Sequence, residues 1–400
     1  MDRYKLSGGK RLRCGITTGT CAAAAAGAAA RLLLTGIPCD AVLVTLPGAG
    51  PLRVPVAASQ TGEGCARCCV RKDAGDDPDI TDGIEIWAEV ALNDEKGVAI
   101  DGGDGVGRVT LPGLDQPVGH AAINSVPRKM IAETVQRALD EAGHGGGAKV
   151  TICIPRGAEL ALKTFNPRLG IVGGLSVLGT SGIVEPMSEQ ALVDSLRLEV
   201  RMRAALGRRT ILIAPGNYGV DFLRDRYAIP DRAVIRCSNY VGELLDAARE
   251  NGFERILLVG HLGKLVKLAG NVFNTHSHYG DCRVELLAAH AAKYGLSAPE
   301  AEQLLASATV DQALNVLEAA GRMRQTLNSV LAAARNNLRL RTGVEIPLAL
   351  FTNVRGLLTC SEDFHGAMKD FLQEEAENGT FCGSGTGSNG SDHSAGTAPA

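Results

Sequence analysis

Aromatic residues are scarce in this 400-residue chain, 4% in all with a single tryptophan, too few for a row of base-stacking platforms. There is no basic surplus either. The 41 Lys and Arg stand against 44 Asp and Glu, a net charge of −3, which is the wrong sign to neutralise a phosphate backbone and excludes nucleic acid as the main partner. No stretch reaches the roughly 18 uninterrupted apolar residues of a membrane span, so no membrane partner is expected. Residues 1–13 lack the apolar run of a secretory signal. No Walker-type G-x-x-x-x-G-K-[ST] occurs, which counts against a P-loop nucleotidase. Eleven cysteines is an odd number in a chain too long to need disulfide staples. Reduced thiols and a cytoplasmic location follow as the expectation.

What is present is a large apolar fraction, 45% hydrophobic against 21% charged, and 49 glycines. The expected class is α/β in the wider sense of a multidomain α+β chain. Residues 1–187 read as a mixed α+β domain, with strands near 41–46, 52–57, 84–90 and 149–154 and helices over about 21–35 and 127–142. A glycine-rich connector, 170–182, is expected to pack against the next domain. Residues 188–296 read as a Rossmann-like βαβ domain. Short apolar runs at 209–215, 233–237 and 255–260 recur every 22–24 residues, with a helix over 240–250 between the second and third, the pattern of a parallel sheet buried on both faces. Residues 297–377 read as helices with a returning strand at 345–351, opened by capping boxes at Ser297-x-x-Glu300 and Thr309-x-x-Gln312. The Gly/Ser/Thr-rich stretch 378–400 has little to bury and reads as a disordered tail.

In an open parallel sheet, ligands bind beyond the carboxyl ends of the strands. Here those ends carry Gly216, Asn217 and Gly219, then Ser238 and Asn239, then Gly260, His261 and Lys264. Glycines admit a ligand close to the backbone, and exposed helix-start N–H groups favour a polar or anionic one. The first loop is not the G-x-G-x-x-G fingerprint, and the second strand ends without the acidic residue that would take a ribose hydroxyl, which disfavours NAD. The loop at 270–283 gathers Asn274, Thr275, His276 and His278. Two histidines without a third ligand at a familiar spacing do not make a zinc site; proton transfer by His261 or His276 is the alternative. Thr17, Thr18 and Thr20 precede an alanine-rich helix, where they can cap it or hold an anion. Five aspartates crowd 72–83, Asp76 and Asp77 among them, either as a loop of Asx-turns or as a substrate-contacting loop. Cys65-x-x-Cys68 has no second pair and reads as buried packing.

At these same stretches the sequence resembles the CbiD family, the cobalt-precorrin-5B (C1)-methyltransferases of the anaerobic cobalamin pathway. The likeness lies in CGITTGTCAAAAAGAAARLLLTG, KDAGDDPDITDG, INSVPRKMI, LGIVGGLSVLGTSGIVEPMSE, APGNYG, CSNYVGELLDAA and LLVGHLGKLVKLAGNVFNTHS, in family order. The resemblance implies methylation of ring carbon C1 of a cobalt-containing tetrapyrrole, to give cobalt-precorrin-6A, with S-adenosylmethionine as cofactor. On that footing Gly216, Asn217, Gly219, Ser238, Asn239 and Gly260 would hold the cofactor. Thr17, Thr18, Thr20, Asp76, Asp77, Arg128, Lys264, Lys267, Asn274 and Thr275 would face the substrate, whose carboxylate arms suit cations and helix starts. Cobalt would arrive inside the substrate, so no resident metal site is expected. A homo-oligomer is compatible with all of this. The competing classes are a non-catalytic corrinoid-binding protein and an NAD-type oxidoreductase.

Overall fold

The computed structural model describes residues 3–7 and 9–379, so the expected tail lies outside the described residues from 380 onward. The chain divides into two compact units, Met1–Gly207 and Arg208–Ala400. The boundary therefore falls one helix later than the sequence pattern places it. The helix Glu189–Ala205 stays with the first unit because Gly113 packs on it: a methyl group added at Gly113 would lie 2.9 Å from Ala205 Cβ and from the Met202 Cα.

In the first unit a five-stranded sheet is built from β1 (Ala58–Gly62), β2 (Cys65–Arg71), β3 (Glu85–Asn93), β4 (Val98–Gly102) and β5 (Gly147–Cys153), in the order β1-β2-β3-β5-β4. All neighbours are antiparallel except β5 and β4. Helix α1 (Thr18–Thr35) packs on this sheet and against α2 (Ser125–Glu141). The alanines Ala22–Ala26 and Ala28–Ala30 are all buried, so α1 has neighbours on every side. Only small residues allow such close approach; a methyl group at Gly27 would sit 3.2 Å from a Val42 methyl carbon. Of the three threonines it is Thr17 that caps α1, its hydroxyl accepting from the Thr20 N–H.

The second unit holds β6 (Thr210–Ala214), α3 (Gly216–Tyr227), β7 (Val234–Arg236), α4 (Val241–Glu250) and β8 (Arg255–His261). After α5 (Arg283–Ala292), α6 (Ala298–Leu305), α7 (Val310–Ala319) and α8 (Met323–Thr342), the chain returns as β9 (Leu348–Thr352) and β10 (Gly356–Cys360) and ends in α9 (Phe364–Gly379). The sheet order is β7-β6-β8-β9-β10, parallel throughout except for β10. Every residue of β6 is buried, as expected of a parallel strand covered on both faces. Residues 297–377 are no separate body: β9 pairs with β8, and Phe364, Met368 and Phe371 of α9 share one core with Leu212, Leu257 and Val259.

Helix α3 and the strand pair β1 and β2 are among the elements that escape the sequence pattern. Helix α3 is short, carries four charged residues in twelve and buries only Gly219, Val220 and Leu223. The strand pair β1 and β2 carries the cysteine cluster: Cys68 and Cys69 are buried, and Cys65 half so, as ladder residues. No helix of the described residues is long and apolar enough to cross a membrane.

Candidate functional site

Strand β6 lies between β7 and β8, so the chain leaves β6 toward one side for β7 and comes back past it for β8. Crossovers that diverge in this way open a crevice at the carboxyl ends of β6 and β8. The loops at 215–219, 237–239 and 260–264 meet there. The Cys237 N–H donates to the Ala214 carbonyl at 3.1 Å. A methyl group added at Gly260 would lie 3.0 Å from Pro215 Cδ, and one at Gly216 would lie 3.5 Å from Lys264 Nζ. Lys264 Nζ in turn donates to the Ser238 carbonyl oxygen at 3.2 Å. One ammonium thus stands among all three loops.

Local backbone explains the residue types. Gly216 has φ +76° and Ser238 φ +53°, both in the left-handed region that glycine enters without penalty and other residues enter rarely. Pro215 caps α3 without any side-chain bond, which leaves the helix's first N–H groups for another acceptor. Neither Ser238 nor Asn239 caps α4. The cap is Tyr240, without a side-chain bond, because Asn239 accepts instead from the loop at 274–275: Thr275 N–H to its carbonyl oxygen at 2.8 Å and the Thr275 hydroxyl to its Oδ1 at 3.4 Å.

Burial pushes the Lys264 ammonium below its ordinary pKa, with the Cys237 thiol acting against that and Lys267 adding to it. Burial pushes the Cys237 thiol itself up to about 12, so it is no nucleophile at neutral pH. His261 is half-buried between Tyr218, 6.2 Å away by ring centroids, and Phe351, edge-on at 5.7 Å. Its Nδ1 accepts from the Gly263 N–H at 3.1 Å. His276 makes the same bond to the His278 N–H at 3.1 Å. An Nδ1 that accepts an N–H is unprotonated, so each neutral ring carries its proton on Nε2. Neither ring keeps a free lone pair, so any part in proton transfer starts from the Nε2 proton. Burial also lowers the His261 pKa, against the pull of Asp311 and with the help of Arg283 and Lys264.

The other expected substrate residues are committed within the chain. Lys267 is buried and donates to the Thr275 carbonyl at 3.1 Å. Asn274 Oδ1 accepts from the His276 N–H at 3.1 Å. In the first unit, Thr20 Oγ1 donates to the Gly182 carbonyl at 2.7 Å and lies 3.1 Å from Thr17 Oγ1. The Thr18 hydroxyl accepts from the Leu178 N–H at 2.8 Å. The glycine-rich connector is thereby fastened to the start of α1 in its own unit. Arg128 donates from Nε and Nη1 to the carbonyls of Ile123 and Ile100, both at 2.8 Å. Asp76 Oδ2 accepts from the Arg13 N–H at 2.6 Å, and Asp77 Oδ1 from the Met187 N–H at 2.9 Å. These residues shape the loops that the sequence singled out. Phe351 and Asp311, which with Tyr218 of the 215–219 loop complete the surroundings of His261, carry no sequence signal because distant elements supply them.

Comparison with known proteins follows the same lines. The CbiD family model matches residues 5–186, and the model of the CbiD C-terminal domain matches 274–362. A cobalt-precorrin-5B C(1)-methyltransferase from Thermoanaerobacter sp. (strain X514) is 47% identical over 321 residues, covering 80% of this chain and 87% of that one. The protein of that name from Ruminiclostridium cellulolyticum is 44% identical over 379 residues, 94% of this chain and 98% of the other. The 1.9 Å crystal structure of a cobalamin biosynthesis protein from Archaeoglobus fulgidus is 30% identical, covers 70% of this chain and 87% of its own, and superposes with a TM-score of 0.38. Over most of its length, this chain belongs to the CbiD family.

Proposed function

We propose that the chain is a cobalt-precorrin-5B C(1)-methyltransferase of cobalamin biosynthesis, and that its methyl donor is S-adenosylmethionine, bound across the carboxyl edge of a Rossmann-like second unit. The names of its relatives support the reaction. The observation that carries the cofactor site is the convergence of three loops on Lys264. The donor set suits such a molecule. Uncapped N–H groups at Gly216 and Asn217 and the Lys264 ammonium fit a carboxylate. Gly219 and Gly260 are packed by Ala214 and Leu265 of the chain itself, so a flat, largely neutral body is left to Gly216, Ser238 and Asn239. Lys264 is thus assigned to the cofactor rather than to the substrate's arms.

When bound, the sulfonium supplies an electrophilic methyl group. The chain's own work is alignment and exclusion of water. Half-buried His261, enclosed by Tyr218 and Phe351, can donate from Nε2 but cannot serve as a base without losing its bond to Gly263. His276 is bound in the same way at an exposed turn, and we give it no part in the chemistry. The threonines at 17, 18 and 20, with Arg128 and Lys267, hold loops in place.

Calorimetry with S-adenosylhomocysteine tests the reading. Saturable binding is expected, together with no fluorescence change on titration with NADH. A folded protein that binds the tetrapyrrole but takes up no S-adenosylhomocysteine would be a carrier, and a response to NADH would favour the oxidoreductase.

A further inference from the structure

Helix α7 begins against the third of the converging loops. A methyl group added at Gly263 would lie 3.6 Å from a Val310 methyl carbon, and Asp311 is the next residue, in the first turn of α7. Its Oδ1 is buried and has no hydrogen-bond partner, and among the described residues no other carboxylate oxygen is in that state. A buried carboxylate oxygen without a donor is destabilising and calls for an explanation. Arg355 is near enough to feel this charge but spends its Nη2 on Asn315 Oδ1 and Glu318 Oε2, each at 2.7 Å. His261, whose Nδ1 is taken by Gly263, presents an Nε2–H donor and feels Asp311 as its neighbouring carboxylate.

We infer that Asp311 and His261 form an acceptor and donor pair that holds one ribose hydroxyl of the nucleoside cofactor. The inference rests on the cofactor reading above. A hydroxyl can accept from His261 Nε2–H and donate to Asp311 Oδ1 at once. An ammonium would face a histidine that only donates, with Arg283 and Lys264 nearby, and a carboxylate would face the charge of Asp311. The end of β7, where nucleotide-binding sheets place an acidic residue for the ribose, here reads Cys237-Ser238-Asn239. Asp311, in the first turn of α7 beside the crevice's third loop, supplies the missing carboxylate.

The test is calorimetry with S-adenosylhomocysteine and its 2′-deoxy and 3′-deoxy analogues on the wild type and Asp311→Asn. The substitution is expected to weaken S-adenosylhomocysteine about tenfold or more, the scale of a hydrogen bond to a charged group. One deoxy analogue should weaken wild-type binding by a similar factor, while D311N binds that analogue no worse than it binds the parent. The variant should melt no lower than the wild type, since the lost charge has no partner. Tight wild-type binding with unchanged D311N affinity, or losses that simply add for both analogues, overturns this assignment alone. No wild-type binding at all overturns the cofactor reading, and this one with it.

Discussion

Lys264 Nζ and the Ser238 carbonyl oxygen, 3.2 Å apart, join two loops that follow different strands. Ser238 turns its carbonyl this way through a left-handed backbone, φ +53°, and Lys264 finds room because Gly216 has no side chain. The bond uses one of three ammonium protons, leaving two for a ligand.

Replacing Lys264 with methionine is expected to weaken S-adenosylhomocysteine at least tenfold, since a half-buried charge-assisted bond is lost. Burial lowers the Lys264 pKa, so its charge is lost as pH rises before a free lysine would lose its own near about 10.4. Wild-type affinity should therefore decline on that alkaline limb, and the Lys264-dependent part should vanish in K264M. Calorimetry between pH 7 and 10 reads both. Equal affinities for the two proteins would remove Lys264 from the site.

Gly216→Ala places a side chain at φ +76° and a methyl group 3.5 Å from Lys264 Nζ. The backbone strain costs about 1–2 kcal/mol, which should lower the melting temperature by a few degrees. Affinity for S-adenosylhomocysteine should fall further than a surface glycine change such as Gly252→Ala would make it fall. Gly252→Ala shares the positive φ but has nothing within 4 Å, so it isolates the strain from the site.

Thr20→Val removes a fully buried hydroxyl that joins α1 to Gly182 and Thr17. The Gly182 carbonyl still accepts from the Thr17 N–H, so the lost bond costs about 0.5–1.5 kcal/mol, visible as a lower melting temperature. Well below that temperature, KM for the tetrapyrrole should be unchanged. A raised KM with unaltered stability would restore Thr20 to the substrate site.

Lys72 is buried and pairs at 2.7 Å with Asp79, which also accepts from the Thr81 N–H and hydroxyl. Asp79→Asn strands the ammonium and should cost about 3–5 kcal/mol. Burial raises the Asp79 pKa, but Lys72 and Thr81 outweigh it and the net shift is downward. A carboxylate lowered on folding stabilises above its unfolded pKa, about 3.9, and that contribution is lost as pH falls through the folded value. Urea midpoints should accordingly drop below about pH 4 in the wild type, with a smaller drop in D79N.

Local signals carried much of the architecture. The capping box at Ser297 and Glu300 and the Thr309 cap form as read, because each depends on residues three apart. The strands of the second unit stand at the expected places, and the returning strand joins β8. Helix α3 was not legible: its few apolar residues matter only once Val220 and Leu223 meet Phe364 and Phe371. The threonines at 17, 18 and 20 looked available because their partners, Leu178 and Gly182, lie some 160 positions away.

Sequence alone settled where the main strands of the second unit's sheet lie, where the helices with capping signals start, and which glycines turn the chain at the sheet's edge, since propensity, capping and φ are properties of a few neighbouring residues. Tertiary structure alone decided which polar groups are spent and which are free. Thr17, Arg128 and Lys267 are bonded to the chain, whereas Lys264 and Asp311 keep capacity for a ligand. A hydrogen bond is satisfied by whatever lies within about 3 Å in space, and separation along the chain says nothing of that distance.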